Sequence, residues 1–415
     1  MGLIPTMFDA EARLNSLEAI GWKLGLDRMN RLCDELGRPQ DSYETIHIVG
    51  TNGKSSVARM SAALLEAHGK KAGCSVSPHI SHWSERVIVG GHELDPGAFA
   101  AAVERAAEAA AVVNQGLEEG EVVTQFELAT AAAFLAMADA GVEVAAIEAG
   151  LGGRLDATNT INSRVTVLTS IGLDHTEYLG ETELEIAGEK LAVLRSGTTL
   201  VLGHLAPEID RFARDHAARL DCDVSAAGDG GAMFDRHIAA RYQRANFAVA
   251  ALAVEALLGE VDDEKVKRVA GSMVVPGRLE QVGHNPPFFV DVAHNRPGAA
   301  ALASSLPEIA DGRPVIAVIG VLSDKDAGGM LAELAGALDT AILTELPGKA
   351  LADWGRPGAQ SFPAAELKAF ADELGLRSEA LPNTREALSR AGNLAREREG
   401  LVLVAGSHFL LSAVE

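Results

Sequence analysis

Short apolar or β-branched runs alternate along the chain with longer segments rich in Ala, Leu and Glu, the rhythm of a parallel α/β architecture. In the first part TIHIVG, KAGCSVS, VEVAAIEAG, RVTVLTSIG and TTLVLG predict strands. Between them SSVARMSAALLEAHG, FELATAAAFLAMADAG and LEIAGEKLAVLRSG predict helices, each with glycine at or near its C-terminal end. A second alternating series follows GRLEQVGHNPPF: FFVDVAH, a helix from Pro297, PVIAVIGV, a helix near Met330, TAILTEL, two further helices and GLVLVAGS. Prolines and a glycine interrupt the pattern between Gln281 and Phe288, which places a domain boundary there and divides the chain into 1–284 and 285–415. The pattern predicts a large N-terminal α/β domain and a smaller, doubly wound one, with reactive groups in the cleft at the carboxyl ends of strands.

A length of 415 residues, 47% of them hydrophobic, supports two cores rather than one. The net charge of −22 excludes a generic nucleic-acid binder, since phosphate attraction needs a basic face. Any phosphate must therefore be held locally. Cys33, Cys74 and Cys222 are widely spread, without zinc or disulfide spacing, and fit a reducing compartment. No apolar run reaches the ~18 residues of a membrane span, and no basic region precedes an apolar block at the start. A cytoplasmic monomer is the expectation.

The local device is IHIVGTNGKSSVARM. Gly50, Thr51, Asn52 and Gly53 sit between a predicted strand and helix, where N–H groups and the helix dipole favour an anion and Lys54 adds a charge. Two residues separate the glycines instead of the P-loop's four, so the strict pattern is not met. EAGLGGRLDATN contains G-x-G-G, but a dinucleotide fingerprint wants glycine at position 155, where Leu155 stands. What remains is Glu148 at a strand end, followed by Arg154 and Asp156. A carboxylate there suits Mg²⁺, which takes hard oxygen ligands and bridges phosphates. A further strand end brings Asp174 and His175.

GTNGK in this setting is similar to the ATP-binding loop of the Mur-ligase superfamily. With SPHISHWSERV, TQFE, EAGLGGRLDATN, SIGLDHTEYLG, GEKLAVLR, YQRANFAVAA, PGRLE, DVAHN, SDKD and GSHFLL in order, nearly the whole chain resembles that superfamily's folate branch, the folylpolyglutamate synthase and dihydrofolate synthase family. The resemblance implies an N-terminal ATP- and folate-binding domain and a C-terminal Rossmann-like domain that binds glutamate.

It also implies roles for individual residues. Gly50 to Lys54, with Ser55 and Ser56, would hold ATP. The family has glycine then serine after its lysine, so either Ser55 or Ser56 could face the metal. Ser77, Glu148 and His175 would complete the Mg²⁺ site, and Lys190 would carry a carbamate. Ser77, Pro78, His79, Arg86, Gln125, Phe126, Glu127, Arg154 and Asp156 would form the folate pocket, although Phe126 equally suits a core. Asn246 and Arg278 resemble ATP contacts, and Asp291 and His294 catalytic groups facing nucleotide and acyl intermediate, Asp291 also touching the nucleotide. The family often has glycine and proline where Val292 and Arg296 stand. Lys325 and Ser407 would grip glutamate or simply make turns.

The implied reaction transfers the ATP γ-phosphoryl group to a carboxylate. The glutamate amine then attacks the acyl phosphate, and closure of the second domain excludes water. Small molecules are the expected partners: dihydropteroate or a reduced folate, and L-glutamate. A bifunctional enzyme is favoured over a folylpolyglutamate synthase alone. A peptidoglycan Mur ligase is disfavoured because the 49 residues ahead of Gly50 are fewer than a typical domain of about 50 to 200. A non-catalytic relative is disfavoured by the joint presence of Lys54, Glu148, His175, Lys190, Asp291 and His294.

Overall fold

The computed structural model describes residues 6–17, 23–80, 82–228, 234, 237–354 and 358–414. Ser81 of the SPHISHW segment lies outside them. The chain divides into two compact units, Met1–Phe234 with Ala245–Ser272, and Asp235–Arg244 with Met273–Glu415. It therefore passes between units more than once, and helix Arg241–Leu258 straddles the second change, at Arg244/Ala245.

The first unit is built on an eight-stranded sheet of order β4-β3-β2-β5-β1-β6-β7-β8. Its strands are β1 (Glu44–Val49), β2 (Ala72–Ser75), β3 (Val87–Val89), β4 (His92–Glu93), β5 (Val144–Glu148), β6 (Val165–Leu168), β7 (Thr199–Leu202) and β8 (Asp223–Ala226). The five expected strands are β1, β2, β5, β6 and β7, paired in parallel with β8 added at one edge, while β3 and β4 run antiparallel at the other. The central strands β1, β5 and β6 are buried almost throughout, as a sheet covered on both faces requires. One core gathers α1 (Met7–Ser16), α2 (Asp27–Glu35), α4 (Pro96–Gln115) and α5 (Gln125–Asp139) around Ala145 and Ile147. Another packs α7 (Glu183–Leu191) and α8 (Pro207–Arg219) on Leu168, Leu200 and Leu202. The Ala-rich α5 fits between layers because its small side chains let the sheet and α4 come close; Leu128, Ala131, Ala132 and Phe134 are almost fully buried.

The second unit is a six-stranded sheet of order β13-β12-β11-β14-β10-β9. The strands are β9 (Arg278–His284), β10 (Pro287–Asp291), β11 (Val315–Ile319), β12 (Thr340–Leu343), β13 (Ser378–Ala380) and β14 (Leu401–Ala405). Helices Arg296–Ala310, Ala327–Leu334 and Ala364–Glu373 cover the face bearing Ala317 and Ile319. Between β12 and β14 stand three helices where two were expected, Gly348–Trp354, Ala364–Glu373 and Thr384–Glu397, and β13 is an added strand. The segment expected to divide the domains is instead a hairpin: β9 pairs antiparallel with β10, turning at Asn285 and Pro286. A boundary at 284/285 would cut between hydrogen-bonded strands, and the change of unit falls at Ser272/Met273.

Candidate active site

The phosphate loop leaves β1 and enters α3 (Lys54–Ala67). Gly50 has φ +149 and packs so closely on β6 that a Cβ would sit 1.9 Å from Thr169 Oγ1. Gly53 has φ +85, and a Cβ there would meet Asn246 Oδ1 at 2.6 Å. Both glycines are therefore required by space and by backbone conformation. Thr51 N–H donates to Ser170 O (2.8 Å) and Asn52 N–H to Ser170 Oγ (3.0 Å), so the end of β6 holds the loop. Anion binding falls to the N–H groups opening α3, which no earlier turn can satisfy. Lys54 Nζ curls back onto Thr51 O at 3.1 Å.

Glu148, at the end of β5, is 4% exposed. Its Oε1 accepts from Ser55 Oγ (3.0 Å) and its Oε2 from Ser77 N–H (3.0 Å). Loop, β2 end and β5 end thus meet on one carboxylate. Ser56 is fully buried with Oγ unsatisfied, so of the two serines it is Ser55 that faces Glu148. His175 follows β6 with φ +51, its Nε2 3.8 Å from Asp174 Oδ1. Among the described residues no three His, Cys, Asp or Glu side chains gather as a metal site. The donors present, one buried carboxylate with hydroxyls beside a phosphate cradle, fit a hard ion that fills its shell from phosphate and water.

Lys190 reads in isolation as a surface lysine, but α7 buries it and its Nζ donates to Gly50 O at 2.8 Å. Burial, helped by the charge of Lys54, lowers its pKa to about 7.

Next to Glu148 opens a small pocket whose lining includes Ser77, Arg86, Phe126, Ala129, Ala133 and Glu148. Phe126 lies against Gly150, whose Cβ would come 2.4 Å from the ring. Both readings of Phe126 hold, since it packs on the core and lines the cavity. Pro78 is exposed, whereas His79 is buried and its Nδ1 accepts from Arg86 Nε at 2.9 Å.

Four expected pocket residues are engaged elsewhere. Glu127 caps α5 with Thr124 (Oε2 to Thr124 N–H, 2.8 Å) and pairs with Arg28 Nε at 3.1 Å, both side chains buried. Arg154 is exposed and pairs with Glu189 at 2.9 Å. Asp156 is buried, accepting from Leu151 N–H (2.7 Å), Thr158 N–H (3.0 Å) and Thr158 Oγ1 (2.5 Å). Burial raises its pKa against those bonds. It shapes the turn that carries Thr158 into the cavity wall. Gln125 Nε2 donates to Leu14 O (3.0 Å).

Sequence reasoning missed His47 on β1, fully buried with Nε2 2.8 Å from Thr158 Oγ1. Since that hydroxyl donates to Asp156, it accepts from His47, which fixes the Nε2–H tautomer. Burial first, then Arg195, lowers the His47 pKa to about 3. It stays neutral.

Comparison with known proteins bears on this arrangement. Residues 277–408 match the Mur ligase, glutamate ligase domain. The Mycobacterium tuberculosis protein named dihydrofolate synthase/folylpolyglutamate synthase is 34% identical, the match covering 92% of this chain and 85% of the relative. The chain belongs to the folylpolyglutamate synthase/dihydrofolate synthase family. Structures of this family superpose over nearly the whole length. Mycobacterium tuberculosis folylpolyglutamate synthase complexed with ADP matches at TM-score 0.87 and 31% identity, covering 98% of both chains. Escherichia coli FolC in complex with DHPP and ADP gives 0.84 and 28%, covering 99% of this chain and 96% of that one. The Yersinia pestis bifunctional enzyme complexed with AMPPNP and Mn ion gives 0.82 and 27%, with coverage 99% and 97%.

In the second unit the family's motif residues stand at the carboxyl ends of the parallel strands β10, β11 and β14. Asp291 ends β10, buried, and accepts from Tyr242 Oη (2.5 Å), Leu279 N–H (2.9 Å) and Ala293 N–H (2.8 Å). Burial raises its pKa. His294 Nδ1 lies 2.9 Å from Val292 O, and Asn295 caps the next helix through Gly298 N–H (2.9 Å). Arg278 Nη1 donates to Gly277 O at 3.2 Å. Lys325 lies half-buried in the turn after β11, and Ser407, 1% exposed, caps the turn after β14.

Proposed function

We propose that this chain is an ATP-dependent ligase that joins L-glutamate both to dihydropteroate and to reduced folates. The observation that carries it is the Glu148 carboxylate, gripped by Ser55 of the phosphate loop and by Ser77 at the cavity. It supports the reading because Glu148 touches the phosphate loop and also lines the small pocket shared with Ser77, Arg86 and Phe126.

A carboxylate ionised at neutral pH resists attack by an amine, so it must first be esterified with the ATP γ-phosphoryl group. The N–H groups opening α3 and Lys54 hold the phosphates, and Asn246 packs on Gly53. Ser55, Ser77 and Glu148, with His175, would hold Mg²⁺, which would neutralise charge gathering on the phosphoryl oxygens. The glutamate α-amine, deprotonated, attacks the acyl carbon and phosphate leaves. The second unit supplies glutamate binding, with Lys325 and Ser407 as its contacts and Asp291, His294 and Arg278 toward nucleotide and acyl group. Pro78 and His79 border the acceptor site.

Lys190 is assigned a carbamate. With its pKa near 7 much of the side chain is the neutral amine at neutral pH, the form that adds to CO₂. No helix among the described residues is long and apolar enough to cross a membrane. A cytoplasmic monomer acting on small molecules completes the proposal.

ADP release with Mg-ATP, L-glutamate and bicarbonate, run separately with dihydropteroate and tetrahydrofolate, tests it, each product being weighed for one added glutamyl unit. Turnover with both is expected. Release with neither acceptor would overturn the folate assignment.

A further inference from the structure

Strand β1 has a second task besides delivering the phosphate loop. Three residues before Gly50 it buries His47 completely, and the imidazole reaches the turn that follows β5, where Nε2 stands 2.8 Å from Thr158 Oγ1. Chemistry fixes the direction of each bond in this chain. Both oxygens of Asp156 take backbone donors, Oδ1 from Thr158 N–H at 3.0 Å and Oδ2 from Leu151 N–H at 2.7 Å, and Oδ1 also receives the Thr158 hydroxyl proton at 2.5 Å. That hydroxyl has no second proton to give, so it takes one from His47. Burial and Arg195 keep the ring neutral, its pKa lowered to about 3.

Other bonds set the shape of the turn. Asn159 Nδ2 donates to Arg154 O (2.9 Å), Arg195 Nη2 to Asn159 Oδ1 (2.7 Å), and Arg154 N–H to Glu189 O (2.9 Å). These bonds leave β1 untouched, whereas the His47 bond joins the turn to it. The phosphate loop is secured independently, because β1 pairs in parallel with β5 on one side and β6 on the other, and Ser170 holds Thr51 and Asn52. Loss of the imidazole bond therefore frees the turn and leaves the loop in place. What the turn carries matters to the reaction, since Thr158 lines the same small pocket as Glu148 and Phe126.

We propose that His47 is a positioning residue for the acceptor: through the Thr158 hydroxyl it holds the 151–158 turn against the strand that carries the phosphate loop. The inference rests on the ligase reading of this site and adds to it a buried residue that touches no substrate. The proton stays on Nε2 throughout, and no bond is made or broken at the ring. A flat side chain locked by burial, with one N–H aimed at one hydroxyl, is the kind of support that keeps a site from loosening.

Steady-state kinetics of the wild type, His47→Leu, His47→Gln, Thr158→Val and the His47→Leu/Thr158→Val double variant, with dihydropteroate as acceptor, test it beside urea unfolding. Loss of a buried neutral hydrogen bond predicts that His47→Leu raises acceptor KM about 5- to 30-fold and leaves ATP KM within about twofold. His47→Gln, which keeps an N–H at similar reach, should recover most of the loss, and the double variant should be no worse than the worse single one. Equal rises in both KM values, lowered stability with unchanged kinetics, no recovery by glutamine, or additive losses in the double variant would each overturn the proposal. Nitrogen chemical shifts of the wild-type imidazole read the tautomer without any substitution: Nε2–H alone is expected down to about pH 5, and a proton on Nδ1 overturns the inference. A wild-type chain that ligates glutamate to no acceptor overturns the folate reading and this inference with it, whereas an active wild type with variants that miss these patterns overturns the inference alone.

Discussion

Replacing Lys190 by methionine should stabilise the protein while abolishing ligation. The fold lowers the Lys190 pKa from 10.5 to about 7. That difference, at about 1.36 kcal/mol per pH unit, amounts to about 5 kcal/mol of unfavourable burial when the side chain is charged. Below pH 7 both folded and unfolded chains hold the proton and the full penalty applies. Between pH 7 and 10.5 the unfolded chain binds more protons than the folded one, so stability rises with pH across that window. Methionine keeps the packing but loses the 2.8 Å bond to Gly50 O, at a cost of roughly 1 to 3 kcal/mol. The net expectation at pH 6 is a gain of about 2 to 4 kcal/mol, falling by about 2 to 3 kcal/mol by pH 9. Urea unfolding of both proteins in CO₂-free buffer at a series of pH values measures it. Adding bicarbonate should stabilise the wild type alone, because the carbamate is an anion beside Lys54. Parallel pH curves, or a methionine variant less stable at pH 6, would refute the reasoning.

Gly53→Ala forces a Cβ into Asn246 at φ +85 and should weaken ATP by at least about tenfold in a nucleotide titration, with Gly→Ala at an open turn such as Gly69 leaving affinity unchanged. Glu127→Ala removes one of the two carboxylates paired with the Arg28 guanidinium, leaving Glu121, and should cost about 1 to 3 kcal/mol in chemical denaturation; a loss confined to acceptor KM would instead return Glu127 to the pocket. Tyr242→Phe removes one of three donors to buried Asp291 and should cost about 1 to 3 kcal/mol in the same assay. Glu148→Gln should leave the melting temperature within a few degrees of wild type yet raise the Mg²⁺ concentration for half-maximal ADP release at least about tenfold.

Much of the fold was legible because its central strands are buried on both faces and so appear as mostly apolar runs. The β9–β10 hairpin was not, because Asn285 and Pro286 punctuate a turn as readily as a linker. The phosphate loop was legible in its glycines, though only the fold shows what each glycine avoids. Two site assignments carried signals that local pattern could have used. Ile186, Ala187, Lys190 and Leu191 share one helical stripe, which already points Lys190 inward. Thr124 and Glu127 have capping-box spacing, which gives that glutamate a structural task. The His47, Thr158 and Asp156 chain spans 111 residues between its first two members and has no local signature. Arg86 was named for its place in a motif, and only the fold shows that His79 and Trp83 hold it.

The second unit takes Asp235–Arg244 from upstream of the segment that completes the first. Tyr242, which fills the buried Asp291, comes from that borrowed piece. A gene fragment encoding only 273–415 would therefore deliver a sheet whose buried carboxylate has lost its hydroxyl partner. Exchange of glutamate-binding units between ligases of this kind has to carry two stretches of coding sequence, and a single recombination breakpoint would produce a chimera whose buried acid keeps only its two backbone donors.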